Sequence, residues 1–252
     1  MTIPNRYFTI VNLADDPDAE FKFWMYLCVK SVVMVNQPEA FTVYGGRVPT
    51  GPWWGRAVQE CGLRFVDVDV PTHAKGNAMV HYANRCDWLR LEILWRYGGI
   101  YVDLDTLAVA PYRPLLDGHR CVMGRELDDG LCNAVIMAEP ENPFIRAWMD
   151  SFAEYRGGWN SHAVKMPFTL ARKMPEVVTM IPQMHFFLPY CDGYGLEAMH
   201  GKNVCFPQAF SHHLWHTKAK LWLDAYTPDS VALGTSTFCR LARPFLPFQL
   251  KG

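Results

Sequence analysis

The sequence has no long hydrophobic run and no excess of charge of either sign. Its 252 residues include 24 Lys and Arg against 25 Asp and Glu, without a block of like charges. This balance does not favour a nucleic acid or another acidic polymer as a partner. The longest apolar stretches, such as residues 23–29, are far shorter than the roughly 20 residues that span a membrane. We therefore expect no nucleic-acid partner and no transmembrane segment.

The sequence also lacks a secretory signal and paired cysteines. The N-terminal sequence MTIPNRYFTIVNL contains no apolar segment followed by a small-residue cleavage site. The eight cysteines form no C-x-x-C pair, and most of them lie inside apolar runs, as reduced core cysteines do. The alternative is a disulfide framework, which is typical of short secreted chains. These features predict a cytoplasmic protein.

Predicted strands and helices alternate along the chain, which is typical of an α/β fold with a mixed sheet covered by helices. Half of the residues are apolar, enough for one core at this length. No linker or repeat divides the chain, so we expect a single domain over residues 1–252. The predicted strands are residues 7–11, 40–44, 64–70, 100–102, 121–125 and 131–138. The predicted helices are residues 21–35, 54–60, a central segment and 143–155, and residues 71–79 are a predicted loop.

The central segment carries the most information. Residues 87–106 read DWLRLEILWRYGGIYVDLDT. Gly98 and Gly99 predict the end of the helix, and the apolar residues that follow predict a buried strand. The residues predicted to form one apolar stripe on the helix, at helical spacing, are Cys86, Leu89, Ile93 and Tyr97.

Asp103 and Asp105 stand where this strand is expected to leave the core. Two carboxylates at this spacing can share one divalent cation, and Mg²⁺ or Mn²⁺ in such a site completes its shell with phosphates and water. The alternative is a pair of aspartates that cap a turn. Ligands of open α/β sheets bind at the carboxyl ends of strands, which favours the metal site.

Asp87 and Arg90 lie three residues apart on the central helix and could border the same crevice. The alternative is a local ion pair, worth only about 0.2–0.5 kcal/mol at a surface. For these two residues alone, the local ion pair is the stronger interpretation.

The order D-x-x-R, apolar helix, Y-G-G-I-Y and D-x-D resembles the sugar-binding region of the DXD-containing glycosyltransferases. This family 32-like group includes α-1,4-galactosyltransferases, yeast-type α-1,6-mannosyltransferases and, more distantly, clostridial glucosylating toxins. The resemblance extends over about residues 4–225. Its other matching segments are Phe23 to Leu27, Gly51 to Trp54, Leu131 to Ile136, Trp159 with His162, and His213 to Trp215.

The resemblance implies a GT-A fold whose first half, about residues 1–110, binds the nucleotide. The second half, about residues 111–235, would form the sugar and acceptor sites, and residues 236–252 would be a tail. It also implies a metal-dependent, retaining transfer of a hexose or N-acetylhexosamine to a polysaccharide, another glycan or a lipid-linked acceptor. The donor would be a nucleotide sugar, with UDP preferred to GDP, and the cofactor Mn²⁺ or Mg²⁺.

The resemblance also assigns roles to the residues of the central segment. Asp103 and Asp105 would act through the cation on the diphosphate. Asp87 would accept hydrogen bonds from sugar hydroxyls, and Arg90 would reach the sugar or the phosphates with a fixed fork of donors.

Later segments supply further candidates by their match to the family. His213 is the expected metal ligand by its H-L-W match, with His216 as the alternative ligand or a residue near the acceptor. Asn133 would bind the sugar, or backbone groups if it is structural. His162 and Trp215 would lie on the acceptor side, with surface and core roles as their alternatives. Lys218 and Lys220 could meet the phosphates.

The stretch after the first strand departs from the family. The toxin relatives place an aromatic residue there that stacks on the nucleobase, whereas this chain has Val11 and Asn12. We expect these two residues to contact the donor without stacking, and Asn12 could bond a base edge.

Two other functions use the same residues. A nucleotide-sugar hydrolase or phosphotransferase would need the metal site without an acceptor, and a silent sugar-binding module would keep the fold without turnover. The presence of Asp87, Arg90, Asp103 and Asp105 argues against the silent module.

Overall fold

The computed structural model describes residues 2–13, 20–127, 129–158 and 160–247, so Asp128 and Trp159 lie outside the described residues. The strands are β1 Arg6–Val11, β2 Ala40–Gly45, β3 Arg64–Asp67, β4 His73–Ala74, β5 Asn77–Ala78, β6 Gly99–Val102, β7 Thr106–Ala108, β8 Cys121–Glu126, β9 Gly130–Ala138, β10 Thr179–Ile181 and β11 Ser211–His213. The helices are α1 Phe23–Asn36, α2 Pro52–Cys61, α3 Tyr82–Tyr97, α4 Pro143–Ser151, α5 Met166–Ala171, α6 Gly193–His200, α7 His216–Ala225, α8 Pro228–Leu233 and α9 Thr237–Ala242. Short helical turns cover Arg113–Leu115, Phe152–Glu154, Ser161–Lys165, Gln183–His185 and Arg243–Phe245.

The centre of the fold is a seven-stranded mixed sheet in the order β10-β8-β9-β6-β1-β2-β3. Strands β3, β2, β1 and β6 run parallel to one another, while β9 is antiparallel to both β6 and β8. The carboxyl ends of β1 and β6 therefore open at the same edge of the sheet. The predicted α/β class with a mixed sheet is confirmed.

Apolar residues cover both faces of this sheet. Along β1, Tyr7 and Val11 join one buried cluster and Phe8 and Ile10 join the other, as expected when successive side chains of a strand point to opposite faces. The first cluster includes α1, α7 and α9, and the second includes α3 and α4. No described helix is both long and apolar enough to cross a membrane.

The C-terminal region differs from the predicted tail. Residues of α9 and the turn after it are buried in the same cluster as α1, and Phe238 is fully buried. The Thr237 hydroxyl donates to the Ala198 carbonyl, which ties α9 to α6. This segment is therefore part of the core, and its short length hid the apolar pattern.

Three local predictions also need correction. The predicted loop 71–79 contains the small hairpin β4–β5, and β3 ends at Asp67, earlier than expected. The expected stripe on α3 is not its whole buried face, because Tyr97 is exposed while Leu91 and Leu94 are fully buried. The reason is that α3 packs against β6 and β9 on one side and against α4 on another.

Gly98 and Gly99 join α3 to β6 as predicted. Both have positive φ, 62° and 107°, a region that side chains of L-residues rarely adopt. A Cβ on Gly99 would also lie 2.5 Å from the Arg6 carbonyl oxygen on β1. The glycine pair thus allows β6 to lie against β1 immediately after the helix ends.

We expect Gly99→Ala to destabilise the fold by about 3 kcal/mol or more, since it combines backbone strain with a clash against a neighbouring strand. Gly62→Ala is the matched control. Gly62 has a similar φ of 63° but nothing within 4 Å of its Cβ position, so this change should cost about 1 kcal/mol. Urea denaturation of both variants measures the difference, and equal midpoints would contradict the proposed contact.

Candidate active site

Asp103 and Asp105 lie in the tight turn between β6 and β7, at the carboxyl end of β6. The backbone N–H of Asp103 donates to the Ala134 carbonyl on β9 over 2.8 Å. The N–H of Thr106 donates back to the Asp103 carbonyl over 3.0 Å. The first bond ties the turn to β9 and the second closes the turn at the start of β7. The two carboxylates therefore have fixed positions at the sheet edge.

His213 reaches these carboxylates from a distant part of the sequence. Strand β11 pairs antiparallel with β7 and places His213 opposite Thr106. Its Nε2 lies 3.2 Å from Asp105 Oδ1 and 3.9 Å from Asp103 Oδ2. One ligand atom from each residue fits within 4.8 Å of the other two. The three residues predicted as metal ligands are thus brought together, and His216 is not part of this group.

Two carboxylate oxygens and one imidazole nitrogen form a donor set that fits a divalent cation such as Mn²⁺ or Mg²⁺. Burial alone would raise the pKa of Asp105, but the neighbouring His213 and the backbone N–H of His216 outweigh it and lower that pKa to about 2. Asp105 is therefore an anion at neutral pH. For His213, the Asp105 and Asp103 charges outweigh burial and raise the pKa, and a cation bound between the carboxylates would displace the imidazole proton.

Asp105 also has a structural role that the sequence did not reveal. Its Oδ2 accepts the backbone N–H of His216 over 2.7 Å at the start of α7, and its carbonyl accepts the N–H of Leu214 over 2.8 Å. Only 8% of the residue is exposed. Asp105 therefore joins the β6–β7 turn to the β11–α7 connection, in addition to its place beside His213.

Arg90 connects the carboxylates to the rest of the site. Its Nη1 donates to the Asn133 carbonyl over 2.8 Å and lies 3.6 Å from Asp103 Oδ1, while its Nη2 lies 3.3 Å from Asp87 Oδ1. Its guanidinium lies over the Tyr101 ring at 4.3 Å, and the Tyr101 hydroxyl donates to Asp103. Arg90 is buried, so it forms a rigid centre between two carboxylates and is more than a surface ion pair.

Asp87 has one satisfied and one unsatisfied oxygen. Oδ1 accepts the Asn133 side-chain amide over 2.8 Å, whereas Oδ2 is buried and forms no hydrogen bond of regular geometry among the described residues, although the Asn84 side chain lies close enough to Asp87 to lower its pKa. Burial, the largest effect, raises the pKa of Asp87 to about 6 even though Arg90 opposes the shift. A buried acceptor without a donor is unfavourable, and the hydroxyl of a bound molecule would satisfy it.

A cleft of about 440 Å³ lies beside these residues. Its walls come from the end of β1, the start of α1, the start of α3, the β6–β7 turn and α7. The lining residues are Ile10, Val11, Asn12, Leu13, Glu20, Phe21, Lys22, Met25, Pro49, Tyr82, Cys86, Leu104, His216 and Lys220. Val11 and Asn12 thus lie where the sequence predicted, although the Asn12 amide nitrogen donates to the Arg47 carbonyl. Lys220 lines the cleft, whereas Lys218 does not.

The remaining predicted residues have different surroundings. The His216 ring stacks on Trp24 at 4.8 Å and borders the cleft. Trp215 packs against His213 at 4.2 Å, and its indole N–H donates to the Pro189 carbonyl. The structure does not bring His162 to the metal ligands.

His162 is buried between aromatic rings. Its ring lies 5.2 Å from that of Phe152 and 5.3 Å from that of Tyr155, and its Nε2 lies 3.1 Å from the Ser151 carbonyl. These contacts are those of a packed structural histidine, and its acceptor-side role stays a prediction.

Three tyrosines near the site were not predicted. Tyr101 stands two residues before Asp103, so the alternation of the strand could have indicated that the two side chains share a face. Tyr155 is buried, and burial together with the nearby Asp87 raises the pKa of its hydroxyl. Tyr190 packs against Trp215 at 5.1 Å and donates to Glu126 over 3.2 Å. Only tertiary contacts bring Tyr155 and Tyr190 here, and no local pattern indicates them.

Comparison with known families supports this reading of the site. Residues 53–122 match the model of the glycosyltransferase sugar-binding region containing the DXD motif. The matched segment includes Asp87, Arg90, Asp103 and Asp105. Over this segment the chain is similar to the DXD-containing glycosyltransferases.

Two named proteins are similar to this chain in sequence. It is 29% identical to glucan organizing enzyme 1 of Cryptococcus neoformans var. grubii, over 98% of this chain and 71% of that protein. It is 23% identical to the lactosylceramide 4-alpha-galactosyltransferase of Gorilla gorilla gorilla, over 60% of this chain and 42% of that protein.

Solved structures support the fold. The PaToxG glycosyltransferase superposes with a TM-score of 0.53 at 14% identity, over 98% of this chain and 88% of that chain. GlyE of Streptococcus pneumoniae TIGR4 also superposes with a TM-score of 0.53 at 9% identity, over 98% of this chain and 61% of that chain. At these identities the likeness concerns the fold alone, and it confirms the predicted GT-A architecture.

We expect Asp103→Asn to weaken Mn²⁺ binding by at least about tenfold, because it removes one of two anionic ligands. Asp67→Asn is the matched control, since Asp67 ends the edge strand β3 of the same sheet, outside the cluster. Titration of Mn²⁺ followed by electron paramagnetic resonance measures both variants, and their melting temperatures report folding. Equal Mn²⁺ affinity of the wild type and a folded Asp103→Asn variant would exclude this site.

Proposed function

We propose that the enzyme transfers a hexose or N-acetylhexosamine from a nucleoside diphosphate donor, with retention of configuration and with a divalent cation. A UDP-sugar is the preferred donor, and the acceptor is a glycan or a lipid-linked sugar. The observation that carries this proposal is the joining of Asp103, Asp105 and His213 at the edge of a cleft that continues past Leu104.

The charges around the cleft suit a diphosphate between the metal ligands and α7. The N-terminus of α7 begins at His216, beside Asp105, and the helix dipole there favours an anion. Lys22 and Lys220 also line the cleft, and their two positive charges share a single carboxylate partner, Asp224, at 2.8 and 3.7 Å. The nucleoside would then extend toward Val11 and Asn12, away from the metal ligands.

The sugar would occupy the other side of the metal ligands. Asp87 Oδ2 is buried there without a hydrogen bond of regular geometry, and Asn133 and Arg90 contact the opposite oxygen. An acceptor fixed by two neighbours is well placed to receive hydrogen bonds from sugar hydroxyls. The position of Tyr155 near Asp87 adds a further polar group to this pocket.

A divalent cation bound at this site would neutralise the charge that develops on the leaving diphosphate. The residues around the site fix the positions of the carboxylates. Asp105 and His213 hold each other at the turn, and Asp103 is fixed by Tyr101 and Arg90. This fixed arrangement requires little reorganisation during the reaction, which is the main source of electrostatic catalysis.

Retention follows from how the carboxylates are engaged. Asp87, Asp103 and Asp105 each contact Arg90 or His213. Among the described carboxylates near β8 and β9, Glu126 accepts the Tyr190 hydroxyl, and Asp129 is exposed and lies 3.7 Å from Lys165. None of these is a free base or nucleophile, so the leaving phosphate is left to accept the proton of the acceptor hydroxyl on the same face.

The names of the relatives are compatible with such acceptors. One is named for glucan and the other for lactosylceramide. A glycan or glycolipid hydroxyl is the chemistry that both names share, and we propose the same class of acceptor for this enzyme.

A donor panel tests the proposal. The enzyme is incubated with UDP-glucose, UDP-galactose, UDP-N-acetylglucosamine or GDP-mannose, with Mn²⁺ or with EDTA. We expect slow release of the nucleoside diphosphate from one UDP-sugar in Mn²⁺, acceleration by a matching glycan acceptor, and a loss of at least about a hundredfold in EDTA. Full turnover in EDTA would refute metal dependence, and release that no acceptor accelerates would indicate a hydrolase.

The configuration of the first product is a separate prediction. We expect an α-linked sugar from an α-linked donor, because none of the carboxylates named above is free to invert the centre. Proton NMR of the product at early times gives the coupling constant of the anomeric proton. A β-linked product would refute the retaining assignment and require a general base outside the residues named above.

A further inference from the structure

The outer part of the cleft contains an exposed aromatic ring. Tyr82 is the first residue of α3, lines the cleft, and has 50% of its surface exposed. Cys86, one helical turn later, lines the same cleft and is followed by Asp87. Tyr82 and Cys86 therefore share the side of α3 that faces the cleft, and Asp87 lies on the adjoining face of the same helix.

The other described rings of the cleft are less exposed. Phe21 is 1% exposed and packs edge-on against Trp54. The His216 ring is partly buried and stacks with one face on Trp24. Of the described residues that line the cleft, Tyr82 has the most exposed aromatic ring.

The wall formed by β1 offers aliphatic contacts and no ring. Residues 9–13 read TIVNL, and Ile10, Val11 and Leu13 line the cleft with Asn12. A flat heteroaromatic group that entered here would meet aliphatic side chains on this wall. A planar partner would have to come from another element.

Tyr82 is held in place by its neighbours. His81 caps α3 by accepting the Ala83 N–H over 3.2 Å. The His81 ring packs beside the Tyr82 ring at 4.6 Å, with 31° between the planes. A ring that is supported in this way loses little freedom when a ligand stacks on it.

The distance along α3 suits a nucleotide sugar. Tyr82 lies five residues before Asp87, about 7.5 Å along the helix axis and on a different face of the helix. In a nucleoside diphosphate sugar, the ribose and the diphosphate separate the base from the sugar. With the base near Tyr82 and the sugar near Asp87, the ribose and the diphosphate would lie beside the metal ligands and α7.

We propose that Tyr82 is the platform on which the nucleobase of the donor stacks. This inference rests on the proposed function, since it requires a nucleoside diphosphate donor. Stacking uses the ring face and not the hydroxyl, and it tolerates different bases. Tyr82 therefore gives affinity for the base without choosing between uracil and guanine.

Nucleotide affinity of four proteins tests the proposal: the wild type, Tyr82→Ala, Tyr82→Phe and Tyr97→Ala. Tyr97 is the matched control, because it lies at the other end of α3 and has a similar exposure of 54%. Calorimetric titration with UDP, GDP and pyrophosphate, each with Mn²⁺, gives the dissociation constants. Circular dichroism and melting temperatures report folding of each variant.

We expect Tyr82→Ala to weaken the binding of UDP and GDP by about tenfold or more, and Tyr82→Phe and Tyr97→Ala to change it by less than about twofold. Pyrophosphate has no base, so Tyr82→Ala should bind it as the wild type does. Unchanged UDP and GDP affinity in folded Tyr82→Ala would overturn the stacking role, as would an equal loss for pyrophosphate.

The two proposals fail in different ways. If the wild-type protein binds pyrophosphate no more weakly than UDP or GDP, the base contributes nothing to affinity. That result overturns the role of Tyr82 alone. Wild-type protein that binds neither nucleoside diphosphate nor pyrophosphate with Mn²⁺ refutes the proposed donor itself, and the platform with it.

Discussion

The arrangement of the site depends on the buried carboxylate of Asp105. One oxygen lies beside His213 and the other accepts the first N–H of α7. A single side chain thereby joins the β6–β7 turn to a segment more than a hundred residues later in the sequence. Because a buried carboxylate is unfavourable unless its oxygens have partners, its burial requires β11 and α7 to be in place. The same contacts that satisfy Asp105 therefore bring His213 to the two aspartates, so that the three residues could hold a metal ion.

Arg90 has the corresponding role around Asp87. Its guanidinium contacts both Asp87 and Asp103 and lies over the Tyr101 ring. The planar group can meet both carboxylates and the Asn133 carbonyl at once, so Asp87 and Asp103 keep one relative position. A lysine has no such fork and would contact fewer of these groups.

The sequence predicts the parts of the site that are close together along the chain. Asp87, Arg90, Asp103 and Asp105 fall within one helix-turn-strand segment, where local spacing and the glycine pair determine geometry. His213 could be chosen only through its resemblance to a family segment, since its approach depends on the pairing of β11 with β7. The burial of Asp105, the tyrosines around the site and the packing of α9 depend on tertiary contacts between short elements. Such contacts leave no periodic pattern in the sequence, and for that reason a terminal helix was expected to be a tail.

The balance of charge explains why a divalent cation suits this site. Asp87, Asp103 and Asp105 carry three carboxylates, and Arg90 is the permanent cation that contacts two of them. Three negative charges and one positive charge leave an excess of two negative charges when His213 is neutral. The structure keeps this excess in a buried region, where like charges repel more strongly than in water. A divalent cation would cancel it, whereas the entry of a diphosphate would restore negative charge at the cleft. The start of α7, with Lys22 and Lys220, lies on the side where that charge would be added, so cation and diphosphate should stabilise each other's binding.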